Sequence, residues 1–112
     1  MKVDVFYCEG DKAQEQHKSR ATAIINAVNE NRLVDQHGPW RARAIPRTIN
    51  DLPGYQANSY QVRFNPQAGE ETAAKQLADL LSKETKRPFE LRKVAQASSG
   101  YLSAFLCGDP KP

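Results

Sequence analysis

Arginines alternate with apolar residues in two short segments, and these segments hold the best candidate site in the sequence. Arg41 and Arg43 lie within WRARAI (residues 40–45), and Gln61 and Arg63 lie within YQVRF (residues 60–64). Because successive side chains of a strand point to opposite faces, burying the apolar residues places these polar ones together on the other face. Phe6 of the first predicted strand is expected to join them. Guanidinium groups bind carboxylate or phosphate, and an aromatic ring stacks on a base or a sugar, so these five residues predict a face that binds an anionic, planar or sugar-like ligand.

Residues for catalysis or metal binding are sparse. His17 and His37 lie in polar surroundings, without a Cys or a second His at metal-ligand spacing, and are expected to be exposed to solvent. The loop carboxylates Glu9, Asp11 and Asp51 have no identifiable partner, and phosphate-binding glycine loops and a nucleophile elbow are absent from the sequence. The sequence therefore predicts a protein that is not an enzyme and that has no metal and no cofactor.

Two cysteines end apolar segments at opposite ends of the chain, Cys8 after Phe6-Tyr7 and Cys107 after Phe105-Leu106. If the last strand pairs with the fourth, and the fourth with the first, the two Cα atoms lie about 10 Å apart. A disulfide requires a separation below about 7 Å. This strand order predicts two buried free thiols, although an oxidising compartment would favour a disulfide.

Hydrophobic periodicity predicts the elements that position these residues. Alternation predicts strands at 3–8, 40–45, 59–64 and 89–94, with Trp40, Ala42 and Ala44 facing the core. The apolar run 101–107 fits either a strand covered on both faces or an edge strand. Helical spacing predicts a first helix ending at about residue 31 and a second that begins near Glu70 and Glu71. The expected fold is α+β and ferredoxin-like, a βαββαβ unit with an extra C-terminal strand. Two helices then pack on one face of a mostly antiparallel sheet.

Length and composition are those of an ordinary globular chain. The 112 residues fit one domain, expected at 1–107 with a C-terminal tail at 108–112, and the net charge of +3 permits an anionic partner without requiring one. No apolar run approaches the ~20 residues of a membrane span, so membrane insertion is not expected. Asp4 interrupts the apolar start that a signal peptide requires, so a cytoplasmic location is expected for the chain as written. A periplasmic or cell-envelope location is expected if it belongs to a larger exported protein.

The segment 59–81 carries a family resemblance. YQVRFNP at 60–66, followed by EETAAKQLA at 70–78, resembles the second half of a SPOR domain and is equally similar to the C-terminal domain of LytR-type cell-wall proteins. The resemblance implies a non-catalytic envelope module, and in SPOR domains the open sheet face binds peptidoglycan. The first half departs from this pattern, because VFYC at 5–8 replaces the Gln and Gly-Ser-Phe sequence of a SPOR first strand.

Three classes of function remain open at this point. The first is the glycan-binding envelope module. The second is an RNA-binding sheet, which is disfavoured because alternation assigns Tyr60, Val62 and Phe64 to the core and leaves only Phe6 to stack on bases. The third is an interaction or assembly domain of a larger protein, which would pair with a protein partner through an edge strand.

Overall fold

The fold is built from two strand–helix–strand units and a final strand, as seen in a computed structural model that describes residues 2–31, 40–53, 55–66, 69–94 and 101–108. The strands are β1 (Lys2–Cys8), β2 (Trp40–Ile45), β3 (Tyr60–Phe64), β4 (Glu90–Lys93) and β5 (Tyr101–Leu106). The helices are α1 (Gln14–Asn31), α2 (Arg47–Asn50) and α3 (Glu71–Thr85). The bounds of β2, β3 and α3 agree closely with the sequence prediction, whereas α2 lies between the predicted strands at 40–45 and 59–64, where the sequence predicts no helix.

The strand order is β2-β1-β5-β3-β4. Strands β1 and β2, β1 and β5, and β3 and β4 pair in parallel, and β3 and β5 pair antiparallel. The fold is α+β, as predicted, but the mostly antiparallel, ferredoxin-like arrangement is not confirmed. Each helix crossover returns the chain to the direct neighbour of the strand it left, so β1-α1-β2 and β3-α3-β4 are compact parallel units. The final strand then lies between them.

One face of the sheet is covered by α1 and α3, which also contact each other. Below α1 lie Val3 and Val5, both fully buried, and α3 contributes Leu77 and Leu81 to the same core. None of the helices in the described ranges is long and apolar enough to cross a membrane. The sheet face on the other side carries neither of these two helices.

Ala42 and Ala44 lie on the predicted side of the sheet, but the expectation that they belong to the core is wrong, because both are exposed. They lie beside Val5 and Tyr7 in the register of β1 and β2, so they are on the helix side of the sheet. Strand β2 is at the edge of the sheet, however, and these two alanines remain accessible to solvent. The side chain of Trp40, predicted to face the same way, lies outside the described part of the structure.

Cys8 and Cys107 form a disulfide, and their Cα atoms are 5.0 Å apart. The prediction of two free thiols is therefore wrong. It assumed that β4 separates β1 from β5, whereas β1 and β5 are direct neighbours with Tyr7 opposite Leu106. The two cysteines continue this register by one residue, which brings them within bonding distance.

We expect a thiol titration of the denatured, non-reduced chain to detect no free thiol. Replacing both Cys8 and Cys107 by Ser should lower the free energy of unfolding by about 2–5 kcal/mol, because the bridge closes a loop of about 100 residues in the unfolded chain. Denaturant unfolding of the variant and of the reduced wild-type chain should give similar midpoints. A count of two thiols would contradict the adjacency of β1 and β5.

Candidate functional site

The five residues predicted to bind a ligand lie on the sheet face opposite α1 and α3. Val5 precedes Phe6 along β1, and Val62 lies between Gln61 and Arg63 along β3. Both valines are buried under these helices, so strand alternation turns their neighbours to the other side of the sheet. We call this side the open face, and it carries Phe6, Arg41, Arg43, Gln61 and Arg63. Residues 55–57 lie against part of it, since Ala57 packs in a small cluster with Cys8, Phe105 and Cys107.

Accessibility differs among the predicted residues. Arg41 and Arg43 are exposed and Phe6 and Arg63 are half-buried, whereas Gln61 is fully buried. The Gln61 Nε2 donates to Ser59 Oγ over 3.0 Å, and its Oε1 accepts a 2.8 Å hydrogen bond from Arg63 Nε. Gln61 therefore orients Arg63 and does not present its amide to a ligand.

Arg41 and Arg43 both pair with a buried carboxylate that the sequence analysis did not include in the site. Asp4 is 2% exposed, its Oδ1 lies 3.2 Å from Arg41 Nε, and its Oδ2 lies 3.4 Å from Arg43 Nη1. A buried charge is costly unless it is paired and hydrogen-bonded, so these two arginines stabilise Asp4. The three groups together present one net positive charge to a ligand, not the two expected from the arginines alone. Asp4 shares this face with Phe6 because both alternate with the buried Val3 and Val5 along β1.

Arg63 is held in a fixed position on the open face. Its guanidinium carbon lies 4.5 Å from the centre of the Phe105 ring, and its Nη2 donates to the Tyr55 backbone carbonyl. Burial lowers the pKa of the Arg63 guanidinium, and the neighbouring positive charge of Arg92 lowers that pKa further. Arg63 is therefore a preorganised cation in a partly desolvated position.

The aromatic rings of the open face are largely covered. Phe6 and Phe105 stack with their centroids 5.1 Å apart, and Arg43 lies 6.0 Å from the Phe6 ring centre. Phe105 is only 3% exposed, so Phe6 offers the more accessible ring. Two stacked rings, Phe6 and Phe105, therefore lie between two guanidinium groups. Arg43 lies over the Phe6 ring and Arg63 lies over the Phe105 ring.

A groove of about 390 Å³ adjoins Arg63 and is basic. Arg63, Arg92 and Lys93 line it together with Tyr55, and no acidic side chain is among its lining residues in the described part of the chain. Arg92 also lies 3.8 Å from Glu90, in an exposed pair that reduces its charge only modestly. We call this groove the basic groove. Sequence reasoning missed Arg92 and Lys93 because it placed their strand next to β1 and not next to β3.

A second groove, of about 540 Å³, lies where the parallel strands β1, β2 and β5 end. Its charged lining residues are Glu9, Asp11, Asp51 and Arg47, so carboxylates outnumber cations. Arg47 already donates to the Gly10 carbonyl over 3.2 Å, and Asp11 accepts from the Gly108 backbone N–H over 2.9 Å. Over the described residues no group of three or more His, Cys, Asp or Glu side chains could hold a metal ion. This groove is therefore poorly suited to the anionic ligand that the basic groove favours.

His17 is fully buried, so the prediction that it is exposed is wrong; His37 lies outside the described residues. The His17 Nε2 lies 2.9 Å from the Gly108 carbonyl oxygen, and the His17 Nδ1 lies 2.9 Å from the Tyr60 hydroxyl oxygen. A carbonyl can only accept, so Nε2 carries the hydrogen and Nδ1 accepts from Tyr60. The Tyr60 oxygen in turn accepts from Arg20 Nη1 over 3.0 Å. Every one of these bonds is satisfied when the imidazole is neutral, which gives His17 a structural role in joining α1, β3 and the end of β5.

Comparison of the chain with protein-family models, curated proteins and solved structures finds no match. The resemblance of residues 59–81 to SPOR and LytR-type domains accordingly stays a prediction.

Replacing Arg41 and Arg43 together by Ser should destabilise the fold, because the buried Asp4 would lose its ion pairs with both arginines. We expect a loss of up to about 3 kcal/mol in the free energy of unfolding, below the ~3–5 kcal/mol of a fully buried pair because both arginines are half exposed. In an Asp4→Asn background the same double replacement should cost much less. Denaturant unfolding of the four chains measures this coupling, and equal costs in both backgrounds would contradict the pairing.

The free energy of unfolding should decrease as the pH falls below 6.5, the ordinary pKa of histidine. Burial lowers the pKa of His17 in the folded chain, and Arg87 and Arg20 act in the same direction. The Gly108 carbonyl and Asp11 oppose this shift without reversing it. The unfolded chain therefore binds the proton first, so this contribution to stability is complete above pH 6.5 and is lost as the pH falls toward the folded pKa.

The measurement compares wild type with His17→Gln between pH 7.5 and 5.5, a range above the ordinary pKa of carboxyl groups. Wild type should lose more stability than the variant across this range, since one unit of pKa difference corresponds to about 1.4 kcal/mol. Parallel pH profiles for the two chains would show that His17 does not titrate abnormally.

Proposed function

We propose that this chain is a non-catalytic binding module that recognises an anionic glycan polymer, with the basic groove as its main contact. The observation that carries the proposal is the association of Arg63, Arg92 and Lys93 around one groove without an acidic lining residue in the described part of the chain. Such a groove favours carboxylate or phosphate groups, to which arginine donates two parallel hydrogen bonds.

The fixed position of Arg63 supports selective binding. Gln61 and the Tyr55 carbonyl hold its guanidinium, so little side-chain freedom is lost when a ligand arrives. Arg92 and Lys93 are exposed and can adapt to the spacing of the charges along a polymer. One preorganised cation beside two adaptable ones suits a repeating anionic ligand.

A glycan fits the aromatic content of this face better than a nucleic acid does. Tyr55 is 42% exposed at the groove, while Phe105 is buried below Arg63 and Phe6 is half-buried. Single-stranded nucleic acids are bound by successive exposed rings, whereas one accessible ring can pack on the apolar face of a sugar. The resemblance of residues 59–81 to SPOR domains, which bind peptidoglycan, points to the same class of ligand.

The disulfide agrees with an envelope setting. Disulfides persist in secreted and periplasmic proteins and are rare in the cytosol. Of the two locations that the sequence leaves open, the Cys8–Cys107 bridge thus favours the cell envelope over the cytoplasm.

A second candidate function, a protein-interaction domain, is favoured by a different observation. Ile49, Leu52 and Tyr55 are each at least 40% exposed and follow one another at intervals of three residues. The Leu52 N–H donates to the Ile49 carbonyl and the Tyr55 N–H donates to the Leu52 carbonyl, so these three residues are held close together. Exposed apolar residues in a row are typical of contact surfaces for other proteins.

The decisive experiment measures binding of carboxylate-bearing peptidoglycan fragments to Arg92→Ser/Lys93→Ser and to a matched control. We expect this double variant to bind at least about tenfold more weakly, equivalent to about 1.4 kcal/mol, because two of the three groove cations are lost. The control is Lys75→Ser/Lys83→Ser, which removes the same charge from the exposed side of α3 and should bind as wild type does. Binding should also weaken as the salt concentration rises.

Several outcomes would contradict the proposal. Equal losses in both double variants would indicate attraction by net charge alone. Tighter binding of single-stranded RNA than of the glycan, with loss in Arg92→Ser/Lys93→Ser, would assign the groove to nucleic acid. Absence of binding to either polymer would contradict the proposed binding module and would favour the protein-interaction domain.

A further inference from the structure

The two edges of the sheet differ in how they could pair with another strand. In the described ranges β2 and β4 are the outermost strands, and each is paired along one side only. All four residues of β4 are exposed. An exposed strand edge is a template for pairing unless its side chains prevent it.

The backbone of β4 has defined outward groups. The Val94 N–H donates to the Phe64 carbonyl over 2.8 Å, so the backbone of Val94 faces β3. Backbone groups alternate sides along a strand, which directs the N–H and C=O of Leu91 and Lys93 away from the sheet. A new strand that joins this edge must therefore form its hydrogen bonds with Leu91 and Lys93.

The side chains of β4 are complementary to a second β4. In an antiparallel pair related by a two-fold axis perpendicular to the sheet, residues that lie opposite each other share a face. With Leu91 opposite the same residue of a second copy, Glu90 of each copy lies opposite Arg92 of the other. This register forms two opposite-charge pairs on the open face and one apolar pair on the helix face, where Leu91 is 39% exposed.

Other registers of the same strand are less favourable. A shift by two residues in one direction places Arg92 opposite Arg92, and a shift in the other direction places Glu90 opposite Glu90. Like charges directly opposite each other are destabilising across a strand pair. The charges therefore select the register that is centred on Leu91.

The other edge is protected against the same association. Arg41 and Arg43 are the open-face residues of β2 between Trp40 and Ile45. In every antiparallel register of two β2 strands in which Arg41 and Arg43 of the two copies overlap, an arginine of one copy lies opposite an arginine of the other. Repulsion opposes pairing of two β2 strands, whereas attraction favours pairing of two β4 strands.

We infer that β4 pairs antiparallel with β4 of a second copy of this chain, with Leu91 at the two-fold axis and reciprocal Glu90–Arg92 contacts. The pairing joins two five-stranded sheets into one of ten strands. Because the interface is isologous and leaves only the repulsive β2 edges outside, assembly stops at the dimer. The contact is short, so the dimer forms at high protein concentration and weakens with salt. The inference rests on the edge of β4 and not on the proposed function, although Arg92 belongs both to this edge and to the basic groove.

Charge reversal tests the pairing. Sedimentation velocity over a concentration series should show a monomer–dimer equilibrium for wild type. In Glu90→Arg, each new arginine meets Arg92 of the other copy, and the dimer should weaken at least about tenfold. Glu90→Arg/Arg92→Glu exchanges the two charges and should restore dimerisation to within about threefold of wild type. The matched control Glu84→Arg makes the same charge change on an exposed site of α3 and should dimerise as wild type does.

A crosslink tests the register. Leu91→Cys should form a covalent dimer on mild oxidation, because hydrogen-bonded antiparallel partners have Cα atoms about 5.5 Å apart, within the range of a disulfide. Lys93→Cys lies opposite Phe89 in this register and should not crosslink. A wild-type chain that is monomeric at every concentration, a charge exchange that fails to restore dimers, or crosslinking by Lys93→Cys in place of Leu91→Cys would overturn the inference.

Discussion

The pairing of β5 with both β1 and β3 is the interaction on which the rest of the fold depends. The units β1-α1-β2 and β3-α3-β4 share no strand pairing in the described ranges, and β5 is the strand that joins their sheets.

Three contacts hold the C-terminal end of β5 in place. Cys107 is bonded to Cys8, the Gly108 N–H donates to Asp11, and the Gly108 carbonyl accepts from His17. Gly108 also has a φ of +100°, and a Cβ there would collide with the carbonyl of Asn58, so glycine is required at this position. The sheet can close only after nearly the whole chain is available, a topology with many long-range contacts that is expected to fold slowly.

Local patterns in the sequence predict the elements well and their neighbours poorly. Alternation locates β2 and β3, and helical spacing locates α3, since these periodicities reflect which side of each element is buried. Alternation does not identify the neighbouring strand, and the short spacing in sequence between the predicted strands at 89–94 and 101–107 favours pairing of β4 with β5. The continuous apolar run of β5 was the better signal, because a strand covered on both faces reads that way. Leu102 and Leu106 are buried on one side of the sheet and Phe105 on the other.

The errors at the candidate site have this same origin. The common face of Arg41, Arg43 and Arg63 follows from alternation, which needs no knowledge of strand order. The disulfide depends on β1 being next to β5, and the basic groove depends on β4 being next to β3. The burial of Asp4 under two arginines could not be predicted either, because a polar residue on a sheet face appears solvent-exposed until the side chains of the adjacent strand are known.

Pairing at β4 would change what the open face offers to a polymer. A two-fold axis perpendicular to the sheet keeps both open faces on the same side, and each basic groove adjoins β4, so the grooves of the two copies would lie side by side. A single polymer could then contact both, and the second contact would gain from the high effective concentration that the first creates. The same pairing engages Arg92 with Glu90 of the second copy, which leaves Arg63 and Lys93 as the cations of each groove for the ligand. Association at the edge would thus reduce the positive charge that each groove offers to a ligand, but it would lengthen the binding surface. This change favours long polymers over short fragments.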